Sequence, residues 1–513
     1  MEMSQACQQV LSYAKRVFHR ADGPDEVVPS GFRPDWADRP AIFRSYPGLE
    51  RIALPTLGRS LERATKGGRK EPDIEALSFI LYLMAGPMRR KLDIDWNSKE
   101  PPILHESQYF RRGTTSGGGL YPTQIYLVAR GDRGLAAGVY HYAAAEHALV
   151  KLRNGRWAET IAGAVGSAGT RASYIVLSSD FWQNCYKYHN FGYHVCCEDA
   201  GAMMATAHLA ADILSLPHRS FLEFDDAQAN AVVGADGEAE SVLAVIGLGC
   251  TQDALPGLSK RRAAPVARPL QRSRNVWIAP DIAAMDRLTR LGAARSCAPH
   301  GAEDPPYGVD PSERLRAFAG RQSAWSSMRG DTPVASDRLA SLLGEVMNGL
   351  AAVSHRCAQP LEEGAFEIFV QANHVAGLPV GAYRWNGAKS ALDAVESAPP
   401  AAWQSTYQME NYNLDEAGCI LFIVGNLPAM LERYGPRGYR VLNAYVGTAA
   451  QLSYLSAARL DLRCGVVLGV RAQRSKRILL LDPPKEVFLA IFLSAAARPC
   501  YLFDFRLAAG IGP

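Results

Sequence analysis

Hydrophobic positions in the first half of the chain change from helical to strand-like spacing and back. Between Asp73 and Gly86 apolar residues recur at three- and four-residue intervals, which predicts a helix that Asp73 caps and Gly86 ends. A run of β-branched and aromatic residues over 124–129 predicts a buried strand. Residues 198–216 predict a long, alanine-rich helix whose small side chains permit close packing. Further strands are predicted over 138–142, 148–150, 174–177 and 241–248.

The same order of elements returns in the second half of the chain. Gly138-Val139-Tyr140 is matched by Gly381-Ala382-Tyr383, and Ile125-Tyr126 by Ile368-Phe369, at one constant offset. A second constant offset relates the long helix to a later segment through these pairs: Tyr193 and Tyr439, Val195 and Val441, Gly201 and Gly447, Leu209 and Leu455, Ala211 and Ala457, Leu214 and Leu460, Leu216 and Leu462. We therefore predict a duplicated α+β domain whose two copies form a pseudo-dimer within one chain.

The length of 513 residues also favours two domains. A proline-rich stretch over 251–312, with a short helix predicted at 281–291, separates the two halves. The first residues are rich in Pro, Arg and Asp and indicate an irregular segment that wraps a domain. The predicted organisation is a lead-in over 1–56, a first domain over 57–255, a linker over 256–312 and a second, degenerate domain over 313–513.

Composition and charge narrow the class of protein. A hydrophobic content of 48% and a charged content of 21% are typical of a globular protein, and a net charge of +4 gives no electrostatic case for nucleic acid or membrane. The ten cysteines form no CxxC pair, which favours reduced thiols. No signal peptide is visible, and the longest apolar run, near 487–497, is too short to span a bilayer. We expect a cytoplasmic protein without a metal site.

A basic, glycine-rich loop precedes the strand at 124–129. Gly117-Gly118-Gly119 permit positive φ and expose backbone N–H groups, Ser116 adds a hydroxyl, and Arg111-Arg112 add positive charge. This loop suits a phosphate or a flat, carbonyl-rich cofactor, although an ordinary turn before a strand would look similar. The second half has the glycine-free segment 354–360 at the equivalent place, so the loop occurs once per chain.

Four motifs stand in order along the first half: Gly-Gly-Leu-Tyr-Pro over 118–122, Gly-Val-Tyr-His-Tyr over 138–142, Lys187-Tyr188, and Asp199-Ala200-Gly201 in the long helix. Together they resemble the SagB-type branch of the nitroreductase family, the FMN-dependent dehydrogenases that form thiazoles and oxazoles. The resemblance covers most of 1–250 and weakens over 313–513. It implies a nitroreductase-like α+β fold with FMN at the interface of two units, which here are the two halves.

The resemblance also implies which residues hold the flavin. The Pro-Ser-x-Gly loop of the family corresponds to 115–118, with Thr115 in place of the proline. The phosphate-binding Arg-x-Ser corresponds to 321–323 in the second half and less well to Arg59-Ser60 in the first. Because loop and phosphate arm come from opposite units in this family, Arg321 is the consistent choice. The expected flavin ligands are Arg112, Ser116, Gly117, Gly118, Arg321 and Ser323.

Lys187-Tyr188 corresponds to the Lys-Tyr pair of the azole-forming members, where the pair is held to deprotonate the substrate. Oxidising an azoline removes a carbon-bound proton and a hydride, and a lysine is a base near neutral pH only where burial or a cation lowers its pKa. The structural alternative is a solvated lysine beside a core tyrosine. The second half has Arg433-Tyr434 at the same place.

Other polar residues receive structural interpretations. Glu198 and Asp199 are expected to stabilise the N-terminus of the long helix, and Asp225-Asp226 to form a turn or cap. The basic run 260–262 is expected to be a solvated linker. Four histidines lack the spacing of metal ligands: His105, His141, His189 and His194.

Three functions remain open from the sequence. The first is an FMN-dependent dehydrogenase that oxidises an azoline or a Cα–Cβ bond of a peptide or carrier-bound natural-product intermediate, with dioxygen or another electron acceptor and a cyclase as partner. The second is an NAD(P)H-dependent reductase of nitro compounds, quinones or enones. The third is a non-catalytic protein that docks a peptide for a cyclase. A monomer with an internal pseudo-dimer and a homodimer both agree with the duplication.

Overall fold

The computed structural model describes residues 3–21, 27–58, 70–92, 110–131, 134–167, 169–250, 252–253, 266–294, 308–324, 328–396, 400–409, 411–497 and 503–507. Its helices in the first half are α1 (Gln5–His19), α2 (Ile74–Ala85), α3 (Ala158–Ala164), α4 (Trp182–Tyr188), α5 (Gly192–Ile213), α6 (Asp226–Val233) and α7 (Pro280–Leu288). Those of the second half are α8 (Pro311–Gly320), α9 (Ser336–His355), α10 (Leu427–Tyr434), α11 (Gly438–Arg459) and α12 (Ala472–Ile478).

The strands are numbered in chain order. Those before residue 254 are β1 (Arg51–Ala53), β2 (Pro87–Leu92), β3 (Phe110–Arg112), β4 (Thr123–Ala129), β5 (Gly138–Ala143), β6 (Ala148–Asn154), β7 (Gly169–Thr170), β8 (Ser173–Asp180), β9 (His218–Phe221), β10 (Glu240–Leu248) and β11 (Gln252–Asp253). The later ones are β12 (Met328–Arg329), β13 (Phe366–Ala372), β14 (Gly381–Asn386), β15 (Ala391–Val395), β16 (Cys419–Gly425), β17 (Arg463–Val467), β18 (Glu486–Ser494), β19 (Ala496–Ala497) and β20 (Phe503–Arg506).

The two halves repeat one sheet topology. The first sheet has the order β1-β6-β5-β4-β8-β10-β9, and the second has β15-β14-β13-β16-β18-β17. Apart from the extra edge strand β1, each strand of one sheet has a counterpart at the same place in the other. The mixed helix and sheet content and the repeated order confirm the predicted α+β duplication.

The predicted signals explain how the first half folds locally. Asp73 Oδ1 accepts a hydrogen bond from the Ala76 N–H at 2.9 Å, so it caps α2 as the sequence predicts. Strand β4 is buried on both faces: Ile125 and Leu127 lie in the main core, whereas Tyr126 and Val128 lie in a second core with α3 and α6. Burial on both faces accounts for its nearly continuous apolar sequence.

The C-terminal strand of the second half joins the first half. β20 pairs with β2, and β2 pairs with β3, so that Arg506 lies opposite Arg89 in the register. β3 leads directly into the glycine-rich loop. The last described strand of the chain therefore supports the base of that loop.

Helices α5 and α11, of 22 residues each, pack against each other along the seam between the halves. Their backbones approach most closely at two glycines that correspond in the repeat. A Cβ on Gly201 would lie 1.9 Å from the Ala444 carbonyl oxygen, and one on Gly447 would lie 1.8 Å from the Glu198 carbonyl oxygen. The crossing is thus symmetrical and requires glycine on both helices.

Replacing Gly201 with alanine is expected to destabilise the protein by about 1–3 kcal/mol, because the added methyl group forces two backbones apart. The matched control is Gly344→Ala in α9, where no atom lies within 4 Å of the added carbon. That change is expected to stabilise the helix by about 0.5–1 kcal/mol. Urea unfolding of both variants measures the difference, and an equal effect on the two would contradict this packing.

Two predictions about secondary structure are wrong. The lead-in over 1–56 is not irregular throughout, because Ser4 caps a helix, α1, that buries Val10, Tyr13 and Val17. The long helix begins at Gly192, after a short 3-10 turn, rather than at residue 198. Glu198 and Asp199 therefore do not lie at its N-terminus. The domain limits at 57–255, 256–312 and 313–513 stay predictions.

Candidate functional site

The glycine-rich loop lies in the seam between the two halves. Gln451, on α11, accepts a hydrogen bond from the Thr115 N–H at 2.9 Å and donates one to the Gly113 carbonyl at 3.1 Å. Leu468 follows β17, and a Cβ on Gly117 would lie 3.7 Å from its side chain. The second half therefore fastens the loop of the first half and lines one side of it.

The shape of the loop depends on its glycines. Gly118 and Gly119 have φ of 62° and 68°, in the left-handed region. A Cβ on Gly117 would lie 2.4 Å from Val195 Cγ1, and one on Gly118 would lie 2.4 Å from the Tyr188 hydroxyl. Conformation and close approach both require glycine in this loop.

Lys187 and Tyr188 meet the loop at Gly118. Helix α4 ends at Tyr188, and His189 follows with a positive φ of 49°, which turns the chain toward α5. A Cβ on Gly118 would lie 2.8 Å from Lys187 Nζ and 2.4 Å from the Tyr188 hydroxyl. The structure thus brings together two sets of site residues that the sequence places far apart.

An aromatic side chain of the lead-in completes this side of the site. Lys187 Nζ lies 5.8 Å from the centroid of the Trp36 ring, within cation–π range. Trp36 packs edge-on against Tyr186 of α4, with ring centroids 5.9 Å apart. The lead-in therefore contributes to the site, which the scattered aromatic residues of its sequence did not reveal.

Asp199 holds the loop from inside α5. Its Oδ2 lies 2.5 Å from Ser116 Oγ, and its Oδ1 accepts a hydrogen bond from the Gly117 N–H at 2.8 Å. The residue is 6% exposed, and this burial raises the pKa of its carboxyl to about 7. The expectation that Glu198 and Asp199 stabilise the helix N-terminus is wrong, because both lie inside the helix. Glu198 instead lies 3.2 Å from His194 Nε2.

Arg112 and Arg321 are both buried at the start of the loop, where the Arg321 side chain reaches the backbone of Arg112. Arg321 donates a hydrogen bond to the Arg112 carbonyl at 2.6 Å, and the Arg112 guanidinium lies 4.2 Å from the Tyr121 ring centroid. Burial lowers the pKa of both, that of Arg112 to about 10. In the described parts of the chain neither pairs with a carboxylate, and the Nε of each lacks a hydrogen-bond acceptor. Uncompensated buried cations suit an anionic ligand.

Ser323 lies beside Arg321 on the second-half side of the seam. Its Oγ is 3.3 Å from the Tyr454 hydroxyl, which donates to it, and the Arg321 guanidinium lies 5.3 Å from the centroid of the same ring. The alternative phosphate pair Arg59-Ser60 lies outside the described residues. So do His105 and the basic run 260–262.

The equivalent place in the opposite half is closed by protein. Gln359 corresponds to Ser116 in the repeat, and its Oε1 accepts hydrogen bonds from the Leu222 and Glu223 N–H groups at 2.7 and 3.1 Å. Residues 356–358 also pair with β9 through backbone hydrogen bonds. A side chain and a backbone pairing therefore occupy this second seam.

The tyrosines of the second half hold this closed arrangement. Tyr445 corresponds to Asp199 and donates a hydrogen bond to the Gln359 carbonyl at 2.7 Å. Tyr434 corresponds to Tyr188 and donates one to the Pro360 carbonyl at 2.7 Å. Positions that face a glycine in the first half are thus used for structural hydrogen bonds in the second.

Other candidate residues have structural partners. Asp225 caps α6 by accepting a hydrogen bond from the Gln228 N–H at 3.0 Å, in agreement with the predicted cap. Asp226 instead forms buried ion pairs with Arg437 and Arg440 at 3.0 Å, across the seam. His141 Nε2 lies 3.2 Å from Gln124 Oε1. Within the described residues no group of three His, Cys, Asp or Glu side chains is placed to hold a metal ion.

Comparisons with known proteins agree with this architecture. The nitroreductase family model matches residues 343–493. A crystal structure of a candidate nitroreductase from Anabaena variabilis is 19% identical, covers 94% of this chain and 99% of that chain, and has a TM-score of 0.70. No curated protein matches the chain.

Two shorter similarities have low TM-scores. A chain of the microcin synthetase McbBCD complex of E. coli, with truncated pro-MccB17 bound, is 21% identical over 48% of this chain and 94% of that chain, with a TM-score of 0.30. A candidate nitroreductase from Ralstonia eutropha is 17% identical over 44% of this chain and 97% of that chain, with a TM-score of 0.28. Neither adds to the functional argument.

The fold defines the class of protein. The chain has a nitroreductase-like fold in two tandem copies that form a pseudo-dimer, and the nitroreductase family model matches part of its second half. The cysteines of the described residues are free thiols, and no described helix is long and apolar enough to cross a bilayer.

Proposed function

We propose that this chain is an FMN-dependent dehydrogenase of the SagB type. Its substrate is an azoline ring, oxidised to the azole, or a Cα–Cβ bond, in a peptide or carrier-bound natural-product intermediate made by a cyclase partner in the cytoplasm. The observation that carries the proposal is the meeting of Lys187 Nζ and the Tyr188 hydroxyl at Gly118. An amine and a hydroxyl stand there directly against the glycine-rich loop.

The residues at the seam fit FMN. The loop over 116–118 offers backbone and hydroxyl groups to a flat heterocycle, in a conformation that a Cβ at Gly117 or Gly118 would block. Arg321 and Arg112 are buried without a carboxylate partner among the described residues, as a site for a phosphate requires, and Ser323 and Arg321 contact the same Tyr454 side chain. When bound, FMN supplies a hydride acceptor.

The side chains at Gly118 supply the acid–base part of an oxidation. Lys187 is placed to take the carbon-bound proton, and the Tyr188 hydroxyl to orient the substrate or relay that proton. The Trp36 ring lies within cation–π range of the same ammonium group. A positioned base of this kind contributes typically about 10²–10⁴-fold to a rate.

The absorption spectrum of the purified protein tests the proposal. The dehydrogenase predicts a yellow protein that oxidises an azoline-containing peptide without NAD(P)H. Rapid bleaching by NADH or NADPH, with no azoline oxidation, would identify a reductase instead. A colourless protein that FMN cannot reconstitute would identify a non-catalytic partner.

The closed second seam predicts one FMN per chain. Gln359 occupies the place of Ser116, and backbone pairing occupies the rest, so the second half has no room for a flavin. Denaturing the purified protein and measuring released FMN against chain concentration is expected to give a ratio near one. A ratio near two would show that the second seam opens.

A further inference from the structure

The hydroxyl of Ser116 has three places for hydrogen bonds, and the structure fills two of them. Its oxygen accepts a hydrogen bond from the Tyr121 N–H at 2.8 Å, and it lies 2.5 Å from Asp199 Oδ2. A hydroxyl has one hydrogen and two lone pairs. One place on Ser116 is therefore left for a ligand on the loop. Whether that place is a hydrogen-bond donor or an acceptor depends on which side of the Ser116–Asp199 hydrogen bond carries the proton.

We propose that Asp199 is a positioning residue that sets whether Ser116 presents a hydrogen-bond donor or an acceptor to the flavin. When the carboxyl is ionised, Ser116 donates its hydrogen to Asp199 and offers the ligand a lone pair. When the carboxyl is neutral, Asp199 donates to Ser116 and leaves the serine hydrogen free for an acceptor atom of the flavin. This inference rests on the proposed flavin site.

The environment of Asp199 makes this exchange accessible near neutral pH. Burial raises the pKa of its carboxyl to about 7, against the hydrogen bonds from Ser116 and Gly117, which lower it. The neighbour that meets the loop from α11 is the neutral Gln451. The titratable groups nearby are Glu198 and Cys196 on α5, and Lys187 and Tyr188 on α4 lie across the loop at Gly118.

The repeat supports a role specific to the seam that contains the glycine-rich loop. The position equivalent to Asp199 is Tyr445, which cannot exchange a proton with its partner because it donates to the Gln359 carbonyl. A buried carboxylate that meets no cation among the described residues costs stability, so its place beside the loop needs a reason other than packing.

The test is FMN affinity as a function of pH in the wild type, Asp199→Asn and Ser116→Ala. An asparagine keeps an acceptor for Gly117 and donates permanently to Ser116, so it imitates the neutral acid. The ratio of the wild-type Kd to the Asp199→Asn Kd cancels the titration of the FMN phosphate. We expect this ratio to rise from about one at pH 5.5 to about ten at pH 8.5, the effect of one hydrogen bond. Ser116→Ala is expected to bind FMN more weakly than the wild type at pH 5.5. The ratio of its Kd to that of Asp199→Asn is expected not to change with pH.

Two outcomes would overturn the inference by different routes. A wild-type to Asp199→Asn ratio that stays flat from pH 5.5 to 8.5, while FMN binds, overturns the role of Asp199 alone. No FMN binding at any pH overturns the proposed function and this inference together. The flavin-free protein supplies a second readout, since the pKa of about 7 lies above the ordinary 3.8. The wild type is expected to lose stability relative to Asp199→Asn between about pH 4 and 7, and no further above pH 7.

Discussion

Replacing Lys187 with alanine is expected to reduce azoline oxidation by about 10²–10⁴-fold while FMN stays bound. The Lys187 side-chain nitrogen lies against the loop at Gly118, where we propose that the neutral amine acts as the base. The measurement is the rate of flavin bleaching when enzyme and substrate are mixed without oxygen, beside the flavin content of the same sample.

Lys187→Arg is the matched control for charge. A guanidinium keeps the positive charge and the length of the side chain but does not act as a base at neutral pH. The second half already has Arg433 at this place, paired with Glu362. We expect Lys187→Arg to be as inactive as the alanine variant. Normal turnover by either variant would remove Lys187 from the mechanism.

Replacing Gly118 with alanine is expected to lower turnover by at least about 10²-fold, with weaker FMN binding. The added Cβ would lie 2.4 Å from the Tyr188 hydroxyl and 2.8 Å from Lys187 Nζ, so the two side chains proposed to be catalytic must move. A displacement of about 1 Å at a reacting centre can lower the rate by about 10²-fold. Steady-state kinetics and a flavin titration of the variant measure the two effects.

Gly435→Ala separates this effect from backbone strain. Gly435 has φ of +59° and ψ of −150°, a conformation that alanine adopts even less readily than the left-handed one of Gly118, at φ of 62° and ψ of 8°, but no atom lies within 4 Å of its added carbon. Gly435→Ala therefore carries at least the backbone strain of Gly118→Ala, about 1–2 kcal/mol, without the contact. We expect Gly435→Ala to keep full flavin content and full turnover. An equal loss in both variants would mean that strain, and not contact with Lys187 and Tyr188, explains the result.

The fold could be predicted because the two halves of the sequence repeat the same pattern of strands and helices. Matches at constant offset fix which strands and helices correspond, and the sheet orders agree with them. The ends of helices were harder to predict from the sequence, since they depend on tertiary contacts. The start of α5 at Gly192 follows from packing after the turn at His189, and not from a capping residue. Helix α1 was missed because its polar face dominates its composition.

Residues of the candidate site could be predicted only where they belong to short motifs that can be recognised in the sequence. The glycines, Lys187 and Tyr188 lie in recognisable motifs, and the structure brings them together. Gln451 and Leu468 belong to the second half and reach the loop only in the folded chain. Asp199 was misassigned, although one signal was available: its counterpart Tyr445 shows that the repeat does not require an acid there.

The central claim is that the two halves hold one FMN in the seam between them. A crystal structure of the chain saturated with FMN tests it most directly. We expect one flavin per chain, with its isoalloxazine against Gly117 and Gly118 and its phosphate beside Arg321. A flavin bound at residues 354–360, or a seam that stays filled by side chains at saturating FMN, would contradict the account.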